Sequence, residues 1–393
     1  MSSNLSSFSS WPKFTEQEGE AVKKVLLSNK VNYWTGMEGR DFEREFAAFC
    51  GVECAVVVAN GTVALDLAFV GLGIGLGDEV IVSPRTFLAS ASAIVNAGAT
   101  PIFADVDLES QNITAETVAP LITERTKAIV CVHLAGWPCD MDPIMALAER
   151  HGLYVIEDCA QAHGARYKGR SVGSIGHVGC WSFCQDKIMT TGGEGGIVTT
   201  NDKDLWSRMW SYKDHGKSWE AVYEREHAPG FRWLHDSFGT NWRMTEMQAV
   251  IGRIQLARMP SWHEARKVNA LAILGAARAT DLFRVPDVPP DIEHGWYKCY
   301  AFIQVEKLGL SWSRDRVVAE INDRGVPCFS GSCSEIYLER CFVDAGLSPS
   351  ERLPSAKQLG ESSVMFLVHP SLTSEEIQKT CEVVATVAEL ACK

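Results

Sequence analysis

The feature that most constrains the fold is a regular alternation of short apolar runs and helical patterns between residues 51 and 158. The apolar runs predict strands, and the segments between them carry apolar residues at helical spacing. Strands that alternate with helices form a parallel sheet with helices on its faces, because a parallel connection needs a crossover. The sequence therefore predicts an α/β fold whose ligand site lies beyond the carboxyl ends of the strands. The predicted strands are 55–59, 79–83, 101–104, 128–133 and 153–158, and the predicted helices between them are 62–70, 89–97, 117–122 and 142–151.

Chain length and the later patterns predict a second, smaller domain. A chain of 393 residues exceeds what one hydrophobic core usually supports. We predict a large domain over residues 1–255, which includes an N-terminal arm, and a small C-terminal α/β domain over residues 256–393. Residues 206–232 are polar and aromatic, and they predict a loop-rich excursion over the site.

Charge and cysteine content limit the partners and the compartment. The formal net charge of −12 disfavours nucleic acid and anionic membranes, so an anionic substrate needs a local positive site. No apolar run reaches the roughly 18 residues that span a bilayer, and the first eight residues lack the basic and apolar regions of a secretory signal. The 13 cysteines show no paired C-x-x-C pattern. Metal sites and disulfides are therefore disfavoured, and reduced cysteines predict a cytoplasmic protein.

Lys187 is the most informative residue for function. It follows the short apolar run 180–184 and precedes a glycine-rich loop over residues 192–196. A lysine in this setting can be desolvated and yet open to a ligand, and desolvation disfavours the ammonium form. A neutral lysine amine is the nucleophile that forms Schiff bases. The pattern alone is weak evidence, because most lysines are solvated surface groups.

Asp158 gives this lysine its significance. It ends the apolar run 153–158, which predicts a buried strand. A carboxylate at a strand end can cap the next helix, or it can keep a pyridinium nitrogen protonated so that the ring accepts electrons. Asp158 followed along the chain by Lys187 favours the second alternative and predicts a pyridoxal phosphate site. Lys187 would form the Schiff base at rest and then carry the proton.

Five further residues match the other requirements of that cofactor. Gly61 and Thr62 follow a predicted strand and open a helix, whose N–H groups and dipole favour a phosphate. The alternative is a plain turn with a helix cap. The Ser182 hydroxyl can donate a hydrogen bond to the same phosphate. Phe87 can stack on the cofactor ring or pack in the core, and Gln161 can contact the ring or its hydroxyl, cap a helix or face solvent.

These motifs, in this order, resemble the DegT/StrS family of nucleotide-sugar aminotransferases. The resemblance runs from about Trp34 to the C-terminus, which is nearly the whole chain. It is carried by Gly61-Thr62, Phe87, the run 157–165, Ser182-Phe183 with Lys187 and the glycines that follow, and the run 239–249.

The resemblance implies a fold type I pyridoxal-phosphate-dependent transferase that is a homodimer with shared active sites. Asn241 would then reach the cofactor phosphate of the neighbouring subunit. The resemblance also implies the transfer of an amino group, usually from L-glutamate, to a keto sugar linked to a nucleoside diphosphate. We expect amination at C4 of a 4-keto-6-deoxy sugar, in the synthesis of an amino sugar for a lipopolysaccharide, another surface polysaccharide or a glycan.

Two departures from the family pattern concern the substrate. Many relatives carry a His- and Tyr-rich loop that lines the sugar-nucleotide site, but here residues 328–337 contain cysteines and serines instead. Arg85 stands where a small or apolar residue is expected. It either contacts a diphosphate or carboxylate, or it is a solvated or salt-bridged surface residue.

Two other functions remain open from the sequence. One is a keto-cyclitol or aminoshikimate-type enzyme, which uses the same cofactor without a nucleotide. The other is a non-catalytic, pyridoxal-phosphate-binding regulatory protein. Lys187 together with Asp158 argues against the second, because an idle site needs neither residue.

Overall fold

The structure is a computed structural model that describes residues 8–392, so most of the N-terminal segment predicted not to be a secretory signal lies outside the described residues. The strands are β1 Cys54–Val58, β2 Glu79–Val82, β3 Thr100–Phe103, β4 Thr126–Val132, β5 Tyr154–Asp158, β6 Arg166–Tyr167, β7 Arg170–Ser171, β8 Val178–Ser182, β9 Gly196–Thr200, β10 Phe283–Arg284, β11 Ile292–Glu293, β12 Cys299–Ile303, β13 Cys328–Phe329 and β14 Ser363–Phe366. The α-helices are α1 Glu16–Leu27, α2 Glu38–Cys50, α3 Gly61–Leu72, α4 Ala89–Asn96, α5 Ala115–Val118, α6 Met141–His151, α7 Lys203–Tyr212, α8 Trp219–Tyr223, α9 Glu246–Arg278, α10 Arg314–Asp323, α11 Arg340–Asp344, α12 Pro354–Ser362 and α13 Ser374–Ala391.

A seven-stranded sheet forms the centre of the molecule, in the order β1-β9-β8-β5-β4-β2-β3. The strands from β3 across to β8 pair in parallel, whereas β9 is antiparallel to both β8 and β1. β2 and β4 are buried along almost their whole length, as expected for parallel strands covered on both faces. The predicted α/β fold with a mostly parallel, helix-covered sheet is confirmed.

The predicted elements of the alternating region are present, with one exception. Each of the five predicted strands exists with its ends shifted by no more than two residues. The predicted helix 117–122 is wrong in form, because α5 is a single turn that continues as a 3₁₀ turn, Ala119–Leu121. Pro120 lies in that turn and has no N–H to donate to a regular α-helix.

Short local signals fix the ends of several helices in the predicted large domain. The capping box between Thr15 and Glu18 opens α1. Gly51 ends α2 in the left-handed conformation, with φ of 72°. Asn60 caps α3 by accepting a hydrogen bond from the backbone N–H of Val63. The Asn60 cap fixes the first turn of α3 beside the end of β8.

The C-terminal third of the chain forms a second sheet with its own core. α9 is 33 residues long and passes without a break through the predicted boundary between residues 255 and 256. Beyond it, β10, β12, β14 and β13 form an antiparallel sheet. Side chains of α9, this sheet and α13, including Ile273, Phe366 and Val384, form a separate apolar cluster. The division into residues 1–255 and 256–393 stays a prediction.

The segment predicted as a loop-rich excursion is more ordered than expected. Residues 206–232 begin within α7 and contain α8, because Asp202 and Ser218 cap these helices with their side chains. Trp206, Trp210 and Trp219 pack against one another there. Among residues 8–392, no helix is both long and apolar enough to cross a bilayer.

Candidate active site

A cavity of about 980 Å³ opens at the carboxyl ends of β5 and β8. This is the edge of the sheet that the sequence predicted for the ligand. Seven of the eight predicted site residues line it, namely Gly61, Thr62, Phe87, Asp158, Gln161, Ser182 and Lys187. They come from four separate segments of the chain, which the sheet brings to one place.

Asp158 is the last residue of β5, and its carboxylate is held in a fixed position. The residue is only 6% exposed. The Ser90 hydroxyl donates to Oδ2 at 2.6 Å, and the backbone N–H of Ala160 donates to Oδ1 at 3.1 Å. Sequence reasoning missed Ser90, although its place one turn after Phe87 in a predicted helix was an available signal. The carboxylate therefore meets the cavity as a pre-oriented acceptor.

The residue before it, Glu157, anchors β5 from behind the cavity. Its carboxylate accepts three backbone N–H bonds from the loop 173–176, at 2.6–2.9 Å, and lies 3.0 Å from His133 Nε2. Burial raises the pKa of Glu157, but these hydrogen bonds outweigh burial and hold it below its usual value. His133, Glu157 and Cys159 are close enough to suggest a metal site. His133 Nδ1 already accepts the N–H of Cys139, so the group forms a structural network.

The first turn of α3 and the end of β8 form a cradle for a phosphate. A Cβ atom on Gly61 would lie 2.5 Å from Cβ of Ser182, so only glycine permits this close approach. The side chain of Asn60 accepts a hydrogen bond from the backbone N–H of Val63. The geometry of a helix start leaves the N–H groups of Gly61 and Thr62 free for an anion, next to two hydroxyl side chains.

Lys187 lies on a tight loop that folds back on β8. Its backbone N–H donates to the carbonyl of Cys184 at 3.1 Å, and its carbonyl accepts from the indole Nε1 of Trp11 at 2.8 Å. Gly192 and Gly193 have φ of 87° and 121°, which lets the loop return toward the sheet. The lysine is half-buried. Its Nζ lies 5.2 Å from the centre of the Tyr297 ring.

A buried histidine lies near Lys187, among aromatic rings. His163 is wholly buried, and its ring lies 5.3 Å from the ring of Trp181 and 5.6 Å from that of Phe183. Burial, together with the nearby charge of Lys187, lowers the pKa of His163 to about 3. The imidazole is therefore neutral at physiological pH and adds no positive charge beside the lysine.

Phe87 and Gln161 occupy the middle of the cavity wall. The Phe87 side chain is 67% exposed although it lines the cavity, which leaves a ring face free to stack. The Gln161 side chain accepts the backbone N–H of Ala135 at 2.8 Å through Oε1. Its Nε2 group remains available as a donor to a ligand.

The opposite wall comes from the C-terminal sheet and the loop 328–337. Tyr300 lies on β12, and its hydroxyl accepts the backbone N–H of Ser332 at 2.8 Å. A Cβ atom on Gly331 would lie 2.3 Å from the Tyr300 ring, and Gly331 has φ of 93°. The ring and the turn are therefore closely packed. Phe329 and Cys333 of the same loop also line the cavity.

Arg85 is neither a solvated nor a salt-bridged surface residue, so that expectation is wrong. Its side chain is wholly buried behind the cavity wall. Nε donates to Oε1 of Gln111 at 3.0 Å, and the guanidinium carbon lies 5.4 Å from the centre of the Tyr300 ring. The β2–α4 loop folds inward here, which no local pattern around Arg85 indicated.

Asn241 is the one predicted site residue that does not line this cavity. It is exposed and pairs through its backbone with Asp214. Its predicted place is the site of a neighbouring subunit, and that assignment stays a prediction.

The residues present fit pyridoxal phosphate. The cradle at Gly61 supplies N–H groups for the phosphate, and the fixed carboxylate of Asp158 suits a protonated ring nitrogen. Phe87 offers a free ring face, and Lys187 opens to the same cavity. Each requirement of the cofactor therefore has a residue of the matching chemistry.

Known proteins resemble this chain in both sequence and fold. A model of the DegT/DnrJ/EryC1/StrS aminotransferase family matches residues 12–385. The X-ray structure of the aminotransferase from Psychrobacter cryohalolentis has 62% identity and a TM-score of 0.96, covering 98% of this chain and 99% of that chain. GDP-perosamine synthase of Escherichia coli O157:H7 is 35% identical over 377 residues, 94% of this chain and 95% of that protein. UDP-N-acetyl-3-dehydro-alpha-D-glucosamine 3-aminotransferase of Acidithiobacillus ferrooxidans is 37% identical over 369 residues, 92% and 91% of the two. The chain therefore belongs to the DegT/DnrJ/EryC1/StrS aminotransferase family and is a pyridoxal-phosphate-dependent aminotransferase.

Proposed function

We propose that this aminotransferase moves an amino group from L-glutamate to a 4-keto-6-deoxy sugar linked to a nucleoside diphosphate. The two substrates react in turn, and 2-oxoglutarate leaves before the keto sugar enters. The product is an amino sugar for a surface polysaccharide, such as lipopolysaccharide, or a glycan. The observation that carries the proposal is the size and composition of the cavity.

The cavity has room for a substrate beside the cofactor. Its volume of about 980 Å³ is at the top of the range of roughly 300–1,000 Å³ that is usual for single-ligand sites. The cofactor-binding residues occupy the edge of the large sheet, and the wall with Tyr300, Phe329 and Cys333 faces them. An aromatic and polar wall suits a sugar nucleotide, which has both ring faces and hydroxyl groups.

The named relatives support a sugar nucleotide as the amino acceptor. The name of the E. coli relative contains a GDP-linked sugar, and that of the A. ferrooxidans relative contains a UDP-linked one. Both match more than nine-tenths of this chain. The nucleotide differs between these two relatives, so substrate specificity needs a direct test.

The protein's own groups have separate tasks in the proposed reaction. When bound, pyridoxal phosphate supplies a ring that accepts the electron pair left when the α-proton of the amino donor departs. Lys187 would take that proton on Nζ and return it to the cofactor carbon C4′. Asp158 keeps a proton on the ring nitrogen, since Ser90 and Ala160 hold its carboxylate toward the cavity. The cradle at Gly61 fixes the phosphate end, so the reacting atoms stay in register with Lys187.

We also propose that the enzyme is a homodimer whose two sites share residues. Asn241 lies outside the cavity of its own chain, in an exposed turn. Three large apolar residues of the same region are exposed to solvent: Phe231 is 83% exposed, Trp233 70% and Phe238 98%. Large apolar groups that are exposed together are typical of interaction surfaces. In the dimer, the Asn241 amide would donate to the cofactor phosphate of the neighbouring subunit.

A substrate panel tests the proposed function. The enzyme with cofactor and L-glutamate is mixed in turn with UDP-, GDP- and dTDP-linked 4-keto-6-deoxy sugars, with 3-keto counterparts, and with scyllo-inosose. Mass spectrometry of the products should show amination of one nucleotide-linked 4-keto sugar. Turnover of scyllo-inosose alone would indicate the cyclitol alternative. A product formed only from a 3-keto sugar would show that the enzyme aminates C3 and not C4.

The cytoplasmic location stays part of the proposal. All 13 cysteines lie within the described residues, and none of them is in a disulfide. Seven of them are buried as small apolar groups. Reduced cysteines of this kind support a reducing compartment.

A further inference from the structure

A second lysine lies beside Lys187 in the cavity. Lys298 directly precedes β12, and its Nζ lies 4.6 Å from the centre of the Tyr297 ring. The Nζ of Lys187 lies 5.2 Å from the centre of the same ring. Both lysine side chains line the cavity. The two lysine side chains therefore approach the same aromatic ring, and the reaction uses one of them directly.

The charges around this pair do not balance. Asp186 is the nearby carboxylate, 3.8 Å from the Lys298 Nζ, and it also accepts a hydrogen bond from the Tyr297 hydroxyl. Arg266 adds another positive charge: it is wholly buried and donates to the carbonyls of Trp296 and Tyr297. Even when the cofactor occupies Lys187, two cations, Lys298 and Arg266, thus lie near one carboxylate. In a chain of net charge −12, this is the local positive site that an anionic substrate needs.

Lys298 is the cation that a substrate can reach. Its side chain is 18% exposed. Among the described residues that line the cavity, Lys187 and Lys298 are the only cations, and Lys187 is taken up by the cofactor. Burial, with Arg266 and Lys187 adding to it and Asp186 opposing it, lowers the pKa of Lys298 to about 8. Lys298 therefore remains an ammonium at neutral pH, and burial favours a partner of opposite charge.

We propose that the Lys298 ammonium binds the α-carboxylate of the amino donor. This inference rests on the proposed function, in which an amino acid is the amino donor. In that reaction the nitrogen of the donor takes the place of the Lys187 amine. The carboxylate carbon is two bonds from that nitrogen, or about 2.5 Å. It must therefore lie close to Lys187, where Lys298 lies. The diphosphate of a sugar nucleotide is separated from the keto carbon by the sugar ring.

Three related donors and one substitution test the assignment. L-Glutamate and L-glutamine both carry the α-carboxylate, whereas L-isoglutamine carries an amide in its place. The cofactor-loaded enzyme is mixed with each donor alone, and the change in the visible band of the cofactor gives the half-saturating concentration. In wild type, glutamate and glutamine should saturate at lower concentrations than isoglutamine.

Lys298→Met should remove that preference. The half-saturating concentration should rise about 10- to 100-fold for glutamate and glutamine, which is the range expected for the loss of a hydrogen bond between charged groups. The half-saturating concentration of isoglutamine should stay unchanged. Lys298→Arg should restore part of the preference. Lys307→Met is the matched control, because Lys307 is exposed beyond the far end of β12 and its loss should leave all three donors unaffected. Thermal unfolding of each variant checks that the fold is retained.

The inference is overturned if Lys298→Met weakens all three donors equally, which indicates a structural role. It is also overturned if wild type does not distinguish glutamate from isoglutamine. A loss confined to the reaction with the keto sugar would assign Lys298 to the diphosphate and likewise overturn it. Failure of the proposed function would appear separately, as a wild-type enzyme that reacts with glutamate but aminates no sugar nucleotide.

Discussion

At the scale of single residues, Lys187 and Asp158 meet because the strands that lead to them are neighbours. β5 and β8 pair in parallel, with Asp158 opposite Cys180. The chain then needs only Ser182 and a short loop to bring Lys187 to the same edge. The position of each residue is set by backbone hydrogen bonds, which a side-chain substitution leaves in place. Their chemical roles can therefore be tested one at a time.

Lys187→Ala should abolish transamination while the protein still binds cofactor noncovalently. The amine is the group that can attack the cofactor aldehyde and carry the proton, and alanine supplies neither function. In wild type, borohydride reduction followed by peptide mapping should find the cofactor on a peptide that contains Lys187. Label on Lys168 or Lys213 would show the assignment to be wrong. Lys168 pairs with Asp142 at the surface, and Lys213 is buried against the Tyr33 ring.

Asp158→Asn should lower turnover by a factor on the order of 10²–10⁴ with little change in the fold. A neutral amide cannot keep the ring nitrogen protonated, whereas it retains the size of the carboxylate. Steady-state kinetics and circular dichroism measure the two effects. Ser90→Ala serves as the graded control: it removes one donor to the carboxylate but keeps its charge, so its loss should be much smaller. Near-normal turnover in Asp158→Asn would show that the Asp158 carboxylate only holds the turn after β5, through the N–H of Ala160.

At the scale of elements, the site depends on how closely α3 approaches β8. Gly61→Ala places a methyl group 2.5 Å from Cβ of Ser182, so the first turn of α3 must shift away from the strand. We expect the dissociation constant of the cofactor to rise about tenfold or more, because the phosphate loses aligned N–H donors. Equilibrium dialysis against pyridoxal phosphate measures the change.

Gly275→Ala is the matched control for this prediction. Gly275 lies in α9 in open space, with no atom near its added Cβ. The substitution should leave cofactor affinity unchanged and raise the free energy of unfolding by about 0.5–1 kcal/mol, because alanine favours a helix over glycine. Equal cofactor affinity in Gly61→Ala and wild type would contradict the close-approach argument.

At the scale of the whole molecule, buried histidines should make the protein sensitive to acid. Burial lowers the pKa of His163 to about 3 in the folded state, against about 6.5 when it is exposed. The stability contribution of the neutral imidazole is complete above pH 6.5. It is lost progressively as the pH falls toward 3, since only the unfolded chain takes up the proton.

His163→Phe should therefore flatten the pH dependence of stability. Below about pH 6, the free energy of unfolding of wild type should fall by about 1.4 kcal/mol per pH unit more than that of the variant. Urea unfolding between pH 4.5 and 7.5 measures both slopes. His151→Gln, at the exposed end of α6, is the control and should retain the wild-type slope. Identical slopes for wild type and His163→Phe would show that His163 does not contribute.

Mixed dimers test whether the molecule shares its sites between subunits. Lys187→Ala and Asn241→Ala homodimers should each be impaired. When the two are refolded together, mixed dimers contain one site with both lesions and one with neither. Activity should then rise above both parents, toward about a quarter of wild type with random pairing. If Asn241→Ala is impaired and confirmed subunit exchange restores nothing, Asn241 acts within its own chain.

The kind of fold and the chemistry of the cofactor could both be predicted from the sequence. Strand and helix periodicity are local properties, so the alternation up to Asp158 was sufficient to predict a parallel sheet and the edge that holds the site. The identities of Lys187 and Asp158, with a glycine at the start of α3, were sufficient to predict pyridoxal phosphate. Residue chemistry and short-range spacing carry these conclusions, and neither needs knowledge of distant contacts.

Which distant segments meet could not be predicted from the sequence and is seen only in the folded chain. The antiparallel strand β9 lies between β1 and β8, and Ser90 bonds to Asp158 across 68 positions of the chain. Lys298 reaches the cavity from the start of β12 in the C-terminal sheet, and Arg85 turns inward beneath Tyr300. Strand order and side-chain contacts of this kind arise from the packing of sequence-distant surfaces. No local pattern carries that information, because the same short segment can pack against different partners.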